Sequence, residues 1–136
     1  MTNTVSVLGD ISPETASRVL HDLVDWHRTN GCGCNDGLKA ILGLLVRVAS
    51  QGGYGHDPAV VRFKTILSGY GFDWSQDKAV TAKEASKALY DLDDWYETAE
   101  LEPNADTRDV ILALMAFAHP EGNPPPYSST LAAVLT

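Results

Sequence analysis

Apolar residues in the first part of the chain fall at Ala16, Val19, Leu20, Leu23 and Trp26, and His27 continues the stripe. Steps of three and one residues line a single face of an α-helix, and Arg18, Asp22, Asp25 and Arg28 fill the other side. The same stripe returns 69 positions later as Ala85, Ala88, Leu89, Leu92, Trp95 and Tyr96. Identity extends beyond the stripe, because Ser17, Asp22, Asp25 and Thr29 reappear as Ser86, Asp91, Asp94 and Thr98. Residues 12–30 and 81–99 are therefore expected to be one helical unit used twice. Each copy has its own start signal. Ser12 precedes Pro13 as an N-cap before a first-turn proline, and Thr81 stands three residues before Glu84 as a capping box.

Behind each of these helices lies a more uniformly apolar stretch, 38–49 and 110–118, which reads as a short helix buried on several sides. Allowing a one-residue slip, Asp36, Ile41, Leu42 and Leu44 pair with Asp106, Ile111, Leu112 and Leu114, and these two helices are expected to form the centre. Gly52 and Gly53 end the first, and His119 followed by Pro120 ends the second. Asp57 and Pro58 open a third helix to about Leu67, with Val60, Val61, Phe63, Ile66 and Leu67 as its inner face, and 128–135 is the expected counterpart. A linker over 68–80 joins the copies and is expected to be pinned through Trp74; 4–8 is the only candidate strand. The pattern predicts an all-α fold, a compact bundle of about six helices in one domain. It is built from two tandem three-helix repeats, 12–71 and 81–136, about a pseudo-twofold axis.

Composition sharpens this picture in one respect. A chain of 136 residues can bury a core without metal or disulfide staples. Its net charge of -8 is uneven: residues 1–71 hold six acids and six bases, whereas 72–109 hold eleven acids against Lys78, Lys83, Lys87 and Arg108, a local charge of -7. Such a surface repels phosphate, so direct binding to nucleic acid or to an anionic membrane is disfavoured and a basic protein or protein complex is the expected partner. With no apolar run of membrane-spanning length and no secretory signal pattern at the start, a soluble, cytoplasmic protein is expected.

Candidate chemistry is sparse. His21-Asp22 and His56-Asp57, with Asp91 and Asp94 later, resemble the histidine and aspartate pattern of the helical HD-type metal-dependent phosphohydrolases, which implies a metal-activated water. Against it, His56-Asp57 precedes Pro58 as a helix cap would, and Tyr90 replaces His21 in the second copy. Cys32 and Cys34, with His27 and His56, are acceptable zinc ligands by type, but Leu101 and Pro103 stand at the matching positions of the second copy. Reduced thiols and no metal or other cofactor are expected. The aspartates on the repeated helix read as solvated i,i+4 partners, Arg18 with Asp22 and Lys87 with Asp91. Trp26 and Trp95 align with the buried stripe and are read as core.

The functional expectation is a small, non-enzymatic interaction protein of the inhibitor, antitoxin or phage-accessory kind. Its partner-binding residues are expected in the acid-rich second copy: Asp91, Asp93, Asp94, Glu97, Glu100 and Glu102. They stand out because the first copy carries His21, Val24, His27 and Arg28 where the second has Tyr90, Asp93, Tyr96 and Glu97. A structural subunit of a virion or other assembly is the alternative, and the HD-type hydrolase a second one.

Overall fold

A computed structural model describes residues 11–30, 35–74, 80–99 and 104–118, and these are all-helical. The helices are α1 (Pro13–Asn30), α2 (Asp36–Ala49), α3 (Pro58–Gly69), α4 (Ala82–Ala99) and α5 (Ala105–Ala118), with a π-helical turn at Ser50–Tyr54. Six helices are expected from the pattern and five are present among the described residues. The stretch expected to form the sixth, 128–135, lies outside them, as does the candidate strand at 4–8.

The helix starts follow from side-chain chemistry. Ser12 Oγ accepts the Thr15 N–H at 3.1 Å, and Thr81 and Glu84 exchange bonds at 2.9 and 3.1 Å as a capping box. Asp57 Oδ1 takes the Ala59 N–H at 3.0 Å ahead of Pro58. The second helix of the chain ends in the π-helical turn, where Gly53 adopts φ 94°, a left-handed conformation that glycine enters without a Cβ clash.

Packing departs from the expected centre. α4 lies between α2 and α5 and also meets α1, while α2 and α5 share no extensive contact. The apolar circumference of α2 is spent instead on α1, α4, α3 and the chain beyond α3, where Phe72 seats over Gly43 in a space that a Cβ would fill. α5 has a narrower apolar face: Thr107, Val110, Ile111 and Leu114 are buried, but Leu112 is 44% exposed. Burial thus follows the unslipped spacing of 69, pairing Leu38, Ile41, Leu42 and Leu45 with Thr107, Val110, Ile111 and Leu114. The slipped register fails because it would match buried Leu42 with exposed Leu112.

The two central contacts are unequal for a local reason. A Cβ at Gly37 would collide with the Glu84 carbonyl and the Lys87 side chain, so glycine lets α2 approach α4 closely. At the matching place on α5 stands Asp106, bridged to Arg18 of α1 at 3.3 Å. The expected Arg18 to Asp22 pair is not formed; Arg18 turns to Glu14 at 2.8 Å and to Asp106. Beyond α3, the Arg47 guanidinium donates to the Trp74 carbonyl at 2.7 Å and Trp74 Nε1 to Ser68 Oγ at 3.0 Å, so Trp74 holds the start of the linker against the body.

Trp26 and Trp95 are each 1% exposed and lie in one continuous core with Leu20, Leu23, Leu89 and Leu92. Trp26→Ala and Trp95→Ala should each lower stability by about 3 to 5 kcal/mol in denaturant unfolding. Among the described residues, Trp95 Nε1 is a buried side-chain nitrogen without a hydrogen-bond partner, so Trp95→Phe should cost far less than Trp95→Ala.

Candidate functional site

The most specific side-chain arrangement is a reciprocal pair of helix caps. Asn35 precedes α2; its side-chain oxygen accepts the Leu38 N–H at 2.9 Å, its own N–H donates to Asp91 Oδ2 of α4 at 2.6 Å, and its Nδ2 donates to the Lys87 carbonyl at 2.8 Å. Asn104 precedes α5 and does the same to α1. Its oxygen accepts the Thr107 N–H at 2.8 Å, its N–H donates to Asp22 Oδ2 at 2.7 Å, and its Nδ2 reaches the Arg18 carbonyl at 3.4 Å. Thr107 Oγ1 adds a 2.8 Å bond to the same Asp22 oxygen. Each participant lies 69 positions from its counterpart, and each helix start is fixed to the opposite long helix. Asn35 and Asn104 escaped the reading of the sequence because the slipped register hid their alignment.

These contacts redraw the acidic set. Asp91 is half-buried and serves as a cap; burial pushes its carboxyl above the ordinary range, the Asn35 N–H opposes that, and the nearby Asp94 charge adds to it. It is not the solvated Lys87 partner expected from spacing. Asp93 is 6% exposed, as is Val24 at the matching position of α1, so it faces inward rather than forming an open acidic face. Asp94 is exposed. Glu97 falls within α4 but its side chain lies outside the described residues, as do Glu100 and Glu102.

A second cluster joins α1 to the start of α3. His21 Nε2 lies 2.8 Å from Asp57 Oδ1, and Ser17 Oγ donates to Asp57 Oδ2 at 3.1 Å. Burial pushes the Asp57 carboxyl up, but the bonds from His21, Ala59 and Ser17 outweigh it and hold the group below its ordinary value. Serine and histidine both contact the carboxylate, with no base placed on the hydroxyl, which is the geometry of an interhelix tie rather than of an activated nucleophile. His56 is exposed, and Asp91 accepts the Asn35 N–H, so the HD-like residues do not converge as a set among the described residues. No group of three or more potential ligands able to hold a metal occurs among the described residues, and Cys32 and Cys34 lie outside them.

His27 has a different setting. Its ring meets Trp95 edge-on at 5.2 Å between centroids and Phe63 at 6.1 Å. Burial, and then the positive charge of Arg62, push its pKa below 6.5. An open groove of about 370 Å³ lies along the outer side of α2, bounded by Tyr70, Phe72 and Glu84. Lys39 Nζ stands 4.8 Å above the Tyr70 ring, and Asp36, Asp73 and Arg47 complete a lining of both charge signs. Such a lining selects neither anions nor cations.

In comparison with known proteins, the chain matches no family model, no curated protein and no solved structure.

Asp22→Ala and Asp91→Ala should each cost about 1 to 2 kcal/mol, through the stranded asparagine N–H and loosened cap, in parallel chemical denaturations. His27 binds protons less readily in the folded than in the unfolded chain. Its stabilising contribution is therefore full above pH 6.5 and declines as pH falls from there through the lowered folded-state value. Unfolding free energies measured from about pH 8 to pH 5 should show this slope, and His27→Leu should flatten it.

Proposed function

We propose that the chain is a duplicated, non-enzymatic interaction protein: two helical hairpins, α1 with α2 and α4 with α5, each docked on the other, binding a basic macromolecular partner. The observation that carries the reading is the reciprocal capping. Asp22, Asp91, Asn35 and Asn104 are committed to joining the hairpins, and Asp57 with His21 and Ser17 to joining α3. Of the groups that could do acid-base work, Asp22, Asp91, Asp57 and His21 are thus engaged in holding helices together.

What supports a basic partner is the uneven distribution of acids along the chain. Residues 72–109 carry the excess of acids, and on α4 the exposed Asp94 continues toward Glu97, Glu100 and Glu102, which together form the proposed contact. Concentrated negative charge raises the rate at which a positive surface is captured, and salt screens that gain. A cytoplasmic inhibitor, antitoxin or phage-accessory role accords with this chemistry. The assembly-subunit and hydrolase readings have no particular contact in their favour.

The reading is tested by reversing charge on the part of the surface not used for capping. Asp94→Lys combined with Glu97→Lys should preserve the circular dichroism spectrum, reduce recovery of the partner from a native-host extract at low salt severalfold, and abolish the difference between low and high salt. Equal recovery by wild type and variant at every salt concentration would place the contact elsewhere.

A further inference from the structure

We propose that α4 pairs antiparallel with α4 of a second copy of this chain, about a twofold axis passing beside Tyr90. The exposed stripe of α4 runs through Lys83, Lys87, Tyr90 and Asp94, and Glu97 holds the next place on it by register. At 3.6 residues per turn these positions fall within about 80° of the helix surface and span about 21 Å. Positive charge occupies one end of the stripe and negative charge the other. Lys83 and Glu97 stand seven residues either side of Tyr90, and Lys87 and Asp94 stand three before and four after it. Turning a second copy end for end therefore sets each lysine of one α4 against an acid of the other, the isologous arrangement of a twofold dimer.

Within a single molecule this order of charges is unfavourable. Lys83 and Lys87 are four residues apart and Asp94 and Glu97 three, and like charges at those spacings repel on a helix surface. Lys83 sits in the first turn of α4 and no base stands in the last, so the stripe also runs against the helix dipole, which favours acids at the N-terminal end and bases at the C-terminal end. Among the described residues, neither Lys83 nor Lys87 enters an ion pair.

The fold does not demand this order, because α1 is built without it. Its residues at the same places are Glu14, Arg18, His21, Asp25 and Arg28, with the acid in the first turn and bases in the last. They are matched within the chain: Arg18 with Glu14 at 2.8 Å, His21 with Asp57 at 2.8 Å, and Arg28 with Asp25 at 3.9 Å. One copy of the helix settles its surface charges internally; the other arrays them in the order that a reversed copy neutralises. A basic partner alone would account for the acids but not for the lysines. A single helix pair falls below the roughly 1,200 Å² of a standard interface, so association is expected to be reversible and weakened by salt.

Sedimentation equilibrium of the purified full chain at low salt, up to near-millimolar concentration, should show a monomer–dimer equilibrium that shifts toward monomer as salt is added. Lys87→Asp and Asp94→Lys each replace two attractions per dimer by two repulsions and should each weaken it at least about tenfold. An equimolar mixture of the two single variants, and the double variant alone, restore opposite charges across the axis and should return to within about threefold of wild type. A chain that is monomeric throughout, a single variant that pairs as wild type does, or a mixture and double variant as weak as the singles overturns the proposal. Circular dichroism of each variant keeps loss of fold apart from loss of pairing. The proposal shares Asp94 and Glu97 with the basic-partner contact but does not rest on it: failure here is read from the purified chain, and failure there from recovery out of the host extract.

Discussion

Four side chains determine how this fold closes. A helix start leaves backbone N–H groups without partners, and an asparagine cap satisfies one of them with its side chain while still exposing its own N–H. In this chain that exposed N–H is turned toward an aspartate on the other hairpin, at both Asn35 and Asn104. The need to satisfy a local backbone donor thereby fixes a long-range packing arrangement. With the two long helices placed against each other by these bonds, Trp26 and Trp95 are enclosed, and α2 can use Gly37 to press close to α4.

The hairpins are alike in plan but not in charge or closeness. Gly37 on one and Asp106 on the other make one contact tight and the other bridged by Arg18. The excess acids of 72–109 are superimposed on a framework that the first hairpin builds with balanced charge. Of these acids, Asp91 serves the joint by accepting the Asn35 N–H.

Much of the framework was legible in the sequence, because α1 and α4 combine a strong apolar period with explicit caps at Ser12, Thr81 and Glu84. Trp74 as an anchor and Asp57 as a cap were legible for similar reasons, since the chemistry that identifies them is local. The register of α2 against α5 was not. Both helices are apolar on several sides, so a shift of one residue keeps most matches, and only burial distinguishes Leu112 from Ile111. Asp91 and Asp93 misled for a related reason: an aspartate on a helix reads as solvated unless its distant partner, here Asn35 for Asp91, is known.

Reciprocal capping also makes the joint indifferent to covalent connection. Each hairpin offers its mate one asparagine N–H and one aspartate, so the cap bonds between a first and a second hairpin do not depend on both belonging to one molecule. What favours closure within one chain is the effective concentration set by the connection between Tyr70 and Val80. A connection too short to let the two hairpins of one chain meet would leave the same contacts available only between chains, an exchange that alters chain topology and not the capping chemistry.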